Sequence, residues 1–236
     1  MILHAYCVRR AGDPPPHSSL AGLEGAPVLV FESAGVGVWL SRVERAEPTP
    51  ARLLEHDRVV RAALRTATPL PIRFGARLRD EQAVAELLES RHEELLAGLA
   101  RVSGRVEAGV TVGWDAHTER GNILSLHPEL RHNGAASATG REYLERRRAQ
   151  HLLDDLLQER ARALLSRVTI ALEVGELPAS LTLLPRPEVA GMLAHLVPRE
   201  EVAAYRRRFE RAREALPEVT LTLSGPWAPY SFVSDI

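Results

Sequence analysis

The stretch VLVFESAGVGVWLSRV, residues 28–43, predicts a β-hairpin and indicates the class of the fold. Apolar and β-branched residues flank Ser33-Ala34-Gly35, whose small side chains suit a tight turn between strands. We therefore predict two strands, at 28–32 and 36–43, joined by a hairpin turn.

A helix with one apolar stripe is predicted after the hairpin. Thr49 precedes Pro50, which is a typical helix start, because Thr satisfies a free backbone N–H group and Pro has none to satisfy. Apolar residues then recur at spacings of three and four, as a helix with one buried face requires. The stripe consists of Leu53, His56, Val60, and Ala63 with Leu64.

Strands and helices alternate through the first half of the chain. We predict strands at 2–8 and 106–112, an edge strand at 70–74, and one helix capped by Asp80 whose stripe runs from Val84 to Leu99. Strand pairs interleaved with two amphipathic helices indicate an antiparallel-rich sheet with helices on one face. The order of the elements is that of a ferredoxin-like α+β domain.

The second half has the same mixture of elements after a long irregular segment. Residues 115–138 show no periodicity, and such a segment is uncommon inside a compact domain. Thr139 then caps a long predicted helix, followed by two strands, a helix and a closing strand. The predicted organisation is an N-terminal ferredoxin-like domain at 1–114, a linker at 115–138, an α+β domain at 139–224, and a tail rich in aromatic residues and proline at 225–236.

The composition excludes several classes of chemistry. The chain has 236 residues and a net charge of −1, which points to neither nucleic acid nor an anionic membrane as an obligatory partner. It contains no lysine for a Schiff base or a P-loop, and Cys7 alone makes neither a disulfide nor a multi-cysteine zinc site. Without a signal peptide pattern or an apolar run of ~18 residues, we expect a cytoplasmic protein.

No arrangement of residues indicates an active site or a metal site. His117, His127 and His132 share the predicted linker, but their spacing matches no zinc pattern. His56 lies on a helix stripe, which favours a core or interface histidine over a catalytic one. We therefore predict no catalytic residue, no metal and no cofactor, and a protein that is not an enzyme.

Two arginine triplets leave nucleic-acid binding open as an alternative. They lie at 146–148 and 206–208, in predicted helices that are also dense in Asp and Glu. Opposite charges at helical spacing mostly pair with each other on a solvated face, and no aromatic residues interleave with these arginines.

Aromatic residues gather instead at the C-terminus. Trp227, Tyr230 and Phe232 lie within the last ten residues, next to Pro226 and Pro229. Large aromatic side chains beside prolines suit a docking surface, since they provide contact area at low entropic cost. The alternative, which physical reasoning alone favours, is that the tail fills a groove of its own second domain.

Four segments, in order along the chain, resemble the gas vesicle GvpF/GvpL family. LPIRFG at 70–75 resembles the LP-x-RFG signature of that family, and GPWAPYSFV at 225–233 is similar to its closing GPWPPYSFV. GREYL at 140–144 matches its G-x-x-YL element, and AHLV at 194–197 is similar to its A-Y-L-V strand. This chain departs from the family at Ala228, where proline is usual, and at His195, where tyrosine is frequent.

The resemblance implies two ferredoxin-like α+β domains, the second of modified ferredoxin-like type. It also implies a role in building the gas vesicle, a protein-walled flotation organelle. It implies binding to the small hydrophobic shell protein GvpA and to other vesicle accessory proteins, association with the vesicles, and no catalytic activity. Neither nucleic acid nor a lipid membrane is an expected partner. The candidate protein-binding or family-motif residues are His56, Arg73, Phe74, Gly75, Tyr143, Trp227, Pro229, Tyr230 and Phe232.

A different class of function is also open. Ferredoxin-like domains often hold small molecules in a pocket beside the sheet, as sensors or enzymes do. The residues that would carry such a function are His56, Arg73 and Glu107, provided that they converge in the fold.

Overall fold

The computed structural model describes residues 1–44, 46–131, 140–184 and 186–233. The strands are β1 (Ile2–Arg10), β2 (Leu29–Ser33), β3 (Val36–Val43), β4 (Leu70–Pro71), β5 (Arg77–Leu78), β6 (Arg105–Gly113), β7 (Ala179–Leu183), β8 (Val189–Pro198) and β9 (Thr220–Trp227). The helices are α1 (Pro50–Thr66), α2 (Glu81–Ser90), α3 (His92–Val102), α4 (Ala116–Leu126), α5 (Gly140–Ala171) and α6 (Val202–Ala215). Short 3₁₀ turns lie at Leu23–Gly25, Pro128–Leu130, Arg199–Glu201 and Tyr230–Phe232.

The predicted hairpin is confirmed. β2 and β3 pair antiparallel from Ser33 opposite Val36 to Leu29 opposite Leu40. Ala34 and Gly35 connect them with φ angles of 51° and 81°. Two successive positive φ angles are characteristic of a type I′ turn, whose twist matches that of the flanking strands.

The first sheet has the strand order β2-β3-β1-β4, with β5 also paired to β1. The described pairings of β1 with β3, β4 and β5 are antiparallel. β1 is therefore a central strand, and its residues from Leu3 to Arg9 are buried on both sides.

Helices cover both faces of this sheet, so the prediction of helices on one face was wrong. On one face, the α1-side cluster joins α1 to the sheet through Val59, Val60, Ala63, Tyr6, Cys7 and Trp39. On the other, the α2/α3-side cluster consists of Val84, Leu88, Leu95, Leu99, Leu3, Val8 and Val38 with their neighbours. The physical reason is that β1 and β3 are apolar at successive positions, which leaves neither face polar enough for water.

A β-bulge at Tyr6 sets the side-chain directions along β1. Ala5 pairs with Leu40 and Cys7 with Trp39, so two β1 residues span one step of β3. Tyr6 and Cys7 consequently both belong to the α1-side cluster, although neighbours in a regular strand face opposite ways.

The helices of the first half differ from the prediction in two details. The predicted helix from Asp80 to Leu99 is two helices, α2 and α3, because the backbone leaves helical geometry at Arg91 with φ −114° and ψ 18°. In α1, Thr49 caps the first turn by accepting from the backbone N–H of Arg52, as expected. Leu53, however, is 46% exposed and does not belong to the buried stripe.

The second sheet has the strand order β7-β8-β6-β9. β7 and β8 pair antiparallel, with Ala179 opposite His195 and Leu183 opposite Gly191. A Cβ atom on Gly191 would lie 2.8 Å from the Leu165 side chain, which shows how closely α5 packs on this sheet. The chain thus has a mixed α+β fold with two antiparallel sheets and helices.

The chain divides into two compact units, and neither is one contiguous stretch. Unit 1 comprises Met1–Ala108, Leu196–Val202 and Gly225–Ile236, and unit 2 comprises Gly109–His195 and Ala203–Ser224. The sequence divides the chain at 115–138 instead. Within those residues the structure has α4, whose start is capped by the Asp115 carboxylate accepting from the His117 and Thr118 backbones. Residues 132–138 and the predicted cap Thr139 lie outside the described residues.

We predict that Ala34→Asn raises the free energy of unfolding by about 0.5–1 kcal/mol, because Asn tolerates a positive φ angle better than Ala and Asn-Gly suits a type I′ turn. Urea unfolding followed by circular dichroism measures the change. Gly35→Ala is the matched control, expected to lower stability by about 1 kcal/mol, since its Cβ atom meets nothing within 4 Å and only the backbone is strained. A loss of stability in Ala34→Asn would contradict the turn assignment.

Candidate functional site

The segment LPIRFG at 70–75 is held against β1. Leu70 pairs with Val8 in β4, and the Ile72 backbone N–H donates to the Tyr6 carbonyl over 2.9 Å. The side chains of Leu70 and Ile72 enter the α2/α3-side cluster, whereas Phe74 packs against the α1-side cluster.

Arg73 and Gly75 occupy the outer part of the same segment. The Arg73 residue is exposed, in contrast to Ile72 before it. Gly75 has a φ angle of +107°, a conformation that residues with a Cβ atom rarely adopt. The segment therefore combines buried anchors with an arginine directed to the surface.

Two buried histidines lie beneath this segment. His56 of α1 places Nε2 at 2.9 Å from the Ile72 carbonyl and Nδ1 at 2.9 Å from His4 Nε2. A carbonyl only accepts, so His56 Nε2 carries the proton, His56 Nδ1 is the acceptor, and His4 Nε2 is the donor. His4 Nδ1 is then an unprotonated nitrogen, buried and without a hydrogen-bond partner among the described residues.

Aromatic rings surround the histidine pair. The Phe74 ring centroid lies 5.1 Å from that of His4 and 5.7 Å from that of His56. The Tyr6 centroid lies 5.0 Å from His4 and 5.3 Å from His56. His56 is thus a core histidine, as its position on the stripe favours, and it ties α1 to the signature segment.

Burial keeps both histidines neutral. Together with smaller contributions from His56 and Arg77, it lowers the pKa of His4 to about 3. It also lowers the pKa of His56, although the bond to Ile72 and the charge of Asp57 act in the opposite direction. Protonation of either ring would add an N–H group that has no acceptor, because His56 Nδ1 faces the donor of His4 and His4 Nδ1 has no hydrogen-bond partner among the described residues.

The C-terminal tail packs within unit 1. Tyr230 lies against the α1-side cluster, and Phe232 lies against the α2/α3-side cluster. Pro229 is buried, Trp227 is half-buried, and the Arg61 guanidinium lies 4.4 Å above the centre of the Trp227 ring. The expected groove of the second domain was therefore the wrong location. Proximity in sequence to the second domain did not indicate which core the tail joins.

A buried carboxylate holds the tail. Glu107 accepts hydrogen bonds of 2.8 Å from both the backbone N–H and the hydroxyl group of Ser231. Burial raises the pKa of Glu107, and the two bonds from Ser231 oppose that rise. Gly225 is needed nearby, because its φ angle is +106° and a Cβ atom would come within 2.8 Å of the Glu107 carbonyl.

Two of the residues proposed for a small-molecule site, His56 and Glu107, bond to different partners. The bonds of His56 go to His4 and Ile72, and those of Glu107 go to Ser231. Arg73 is exposed, whereas the other two are buried. The contribution of His4 and of Ser231 is not evident from sequence, since one lies in a strand without periodic polar neighbours and the other in the tail.

Tyr143 is not brought together with the other candidates. It lies on α5 in unit 2, is 53% exposed, and its hydroxyl group is 3.4 Å from Arg147 Nη1. Of the linker histidines, His127 contacts Glu129 at 3.1 Å, and His132 lies outside the described residues.

Among the residues that the structure describes, no three or more His, Cys, Asp or Glu side chains come together as a metal site would require. None of the helices in the described part of the chain combines the length and the hydropathy needed to cross a membrane.

We predict that stability decreases as the pH falls from about 6.5 towards 3, because each buried histidine binds a proton more readily in the unfolded state. From pH 7 to pH 5 the contribution of His4 is on the order of 2 kcal/mol. His195, with its pKa lowered to about 4, acts in the same direction. Urea unfolding at a series of pH values measures the slope.

The variant His4→Gln tests how much the pair of His4 and His56 contributes to this pH dependence of stability. A Gln amide still donates to His56 and does not titrate, so the slope between pH 7 and pH 5 should become flatter. His17→Gln is the control, because His17 is exposed and its replacement should leave the slope unchanged. An unchanged slope in His4→Gln would contradict the role of the pair.

We also predict that Ser231→Ala lowers the free energy of unfolding by about 1–3 kcal/mol, because one oxygen of a buried carboxylate loses its donor. Limited proteolysis should then cut the tail faster than in the original protein. Ser90→Ala removes an exposed hydroxyl bond on α2 and should cost less than about 0.5 kcal/mol. Equal effects of the two substitutions would show that Glu107 does not hold the tail.

Comparison with known proteins places these features in a family. A family model described as "Gas vesicle synthesis protein GvpL/GvpF" matches residues 2–234. Gas vesicle protein L of Streptomyces sp. (strain CB03234) is 33% identical over 239 residues, covering 94% of this chain and 84% of that protein. Gas vesicle protein F of the same strain is 25% identical over 243 residues, covering 99% of this chain and 100% of that protein.

Solved structures agree on the fold. The crystal structure of GvpF from Anabaena sp. PCC7120 matches with a TM-score of 0.76 and 20% identity, covering 99% of this chain and 96% of that chain. The crystal structure of GvpF from Microcystis aeruginosa matches with a TM-score of 0.78 and 19% identity, covering 99% of both chains. The family is one of gas vesicle proteins and not a known family of enzymes. The chain therefore belongs to the GvpL/GvpF family of gas vesicle synthesis proteins.

Proposed function

We propose that this protein helps to build gas vesicles by binding the shell protein GvpA and other vesicle accessory proteins, without catalysing a reaction. Membership of the family supports a role in the vesicle. The observation that carries the binding proposal is the convergence of the two signature segments in unit 1. Phe74 and Tyr230, from distant parts of the chain, pack against the same α1-side cluster.

The surface that we propose for binding lies along α1 and is called the α1 surface. It consists of Leu53, Leu54, Arg61, Arg73 and Trp227. Leu53 and Leu54 are 46% and 67% exposed, and Arg61 lies on Trp227 two turns further along the helix. Arg73 belongs to it because its neighbours Ile72 and Phe74 both contact His56 of α1.

The chemistry of this surface suits an apolar partner. Large apolar side chains exposed together on a folded protein often mark a protein-binding site, and Trp and Arg contribute much of the binding energy at such sites. A small hydrophobic shell protein has the complementary character. The buried histidine pair helps to position this surface, since His56 bonds to the carbonyl of Ile72, the residue before Arg73.

The proposal extends to the location and the domain architecture. We infer a cytoplasmic protein associated with vesicles, whose partners are vesicle proteins and include neither nucleic acid nor a lipid membrane. We also propose a ferredoxin-like core for each sheet. The strand orders support this, because numbering the strands of each sheet in chain order, with β5 set aside, gives 4-1-3-2 in both cases. Helices also lie between β6 and β7 and between β8 and β9, as in that fold.

We predict that GvpA capture by this protein falls at least about tenfold in a Leu53→Ser/Leu54→Ser variant, and also in Trp227→Ala and in Arg73→Ala, because each removes contact area from the α1 surface. Tagged protein co-expressed with GvpA and recovered by affinity purification gives the ratio of the two proteins. Circular dichroism checks that each variant is folded, since Trp227→Ala also loses a cation–π contact of about 0.5–1 kcal/mol.

Ile170→Ser is the matched control, because Ile170 is 74% exposed but lies on α5 in unit 2. Its capture of GvpA should equal that of the original protein. Failure of the original protein to capture GvpA would overturn the proposed function. Full capture by all three folded variants would overturn the surface and leave the function standing.

A further inference from the structure

Unit 2 contains a cavity of about 630 Å³ bordered by α4, the 3₁₀ turn Pro128–Leu130 and α5. Arg120 and Leu124 of α4 line one side, one helical turn apart. Arg146 and Leu153 of α5 line the other, spaced by two turns. Two helices thus present one face each to the same space, and its volume falls in the range of about 300–1,000 Å³ typical of ligand sites.

The inner wall of the cavity is apolar. Leu130 and Leu153 are buried in a small cluster with Ile123, and Leu124 packs against that cluster. The cluster holds α4 to α5 and closes the inner end of the cavity.

The rim of the cavity is positively charged. Arg120, Arg131 and Arg146 all line it, and none of the described lining residues is an Asp or a Glu. Arg131 Nε donates to the Leu124 carbonyl over 3.0 Å, and Arg120 Nη2 lies 3.4 Å from Gln150 Oε1. Each of these two contacts uses one nitrogen of its guanidinium group and orients that group at the rim. The rim is thus positively charged, although the chain as a whole has a net charge of −1.

We infer that this cavity binds an acidic peptide segment of a partner protein, with carboxylates on the three arginines and an apolar side chain against the leucine wall. Charge complementarity selects the acidic groups, because planar guanidinium groups bind carboxylates through paired hydrogen bonds. The apolar wall favours a peptide over a small free anion, which leaves that wall uncovered. The segment at 132–139 of this chain, HNGAASAT, has no carboxylate and does not supply the charge.

The site is independent of the proposed binding of GvpA at the α1 surface. It lies in unit 2 and shares no residue with that surface. It also assigns a role to part of the first arginine triplet, which the sequence predicts to be a self-paired, solvated face.

Gly121 offers a way to close the cavity without disturbing the fold. It lines the cavity, and a Cβ atom at this position would meet nothing within 4 Å. A large side chain there would therefore extend into the open space. Because Gly is a poor helix former, Gly121→Trp should preserve or raise the stability of α4.

The test uses fluorescence anisotropy with the full chain and a fluorescein-labelled twelve-residue peptide of Glu and Leu at helical spacing. We expect saturable binding that weakens with added salt, since exposed charges are screened. Arg120→Gln/Arg146→Gln should weaken binding at least about tenfold, the loss expected for two charged hydrogen bonds. Gly121→Trp should abolish it. Arg207→Gln, an exposed arginine of α6, should bind as the original protein does.

Four results would overturn the inference. Equal affinity for a peptide with Gln in place of every Glu would remove the role of the arginines. Displacement of the peptide by inorganic phosphate at equal concentration would indicate a small-anion site. Unchanged binding by folded Gly121→Trp, or no binding by the original protein, would show that an acidic peptide does not occupy this cavity.

Discussion

The burial of β1 on both faces is the constraint on which unit 1 depends. A strand with water on one side needs apolar residues only at every second position, but β1 is buried at each position from Leu3 to Arg9. Elements must therefore cover it on both sides, and α1 covers one side while α2 and α3 cover the other. The bulge at Tyr6 shifts the alternation, which places two successive side chains beneath α1.

The signature segment can be understood from that arrangement. It runs along β1, so its apolar side chains divide between the two cores. Arg73 belongs to neither core and is exposed. The tail follows the same pattern, with Tyr230 in one cluster and Phe232 in the other. In both segments most of the motif anchors the chain. The surface available to a partner is small and is fixed in place by the buried residues around it.

Sequence reasoning succeeded where the causes are local. The turn at Ala34-Gly35 and the caps at Thr49 and Asp80 depend on residues within four positions, and all are present. The helix α4 escaped notice because only Ile123 is buried in it, so no stripe marks it. The pairing of His4 with His56 and of Glu107 with Ser231 depends on tertiary contacts that no periodicity reveals.

Sequence reasoning likewise predicted only part of the candidate site. Spacing placed His56 in the core and the resemblance singled out the signature segment and the tail, but neither located the tail in unit 1. Arg146 was assigned to a solvated face because its helix is rich in acid, whereas the turn at Pro128–Leu130 helps to form a cavity beside it. A cavity between elements is a property of their packing, and a single helix does not display it.

The division of the chain into interrupted units has a consequence for synthesis on the ribosome. Unit 1 is built from stretches that are translated before, between and after the two stretches of unit 2. Glu107 is translated before the stretches of unit 2 and Ser231 after them, so the carboxylate has no bond from Ser231 until both stretches of unit 2 have been made. The first core therefore closes after the second can form. Until then, the sites that Tyr230 and Phe232 will cover stay open on the nascent chain, where chaperones or early partners meet them.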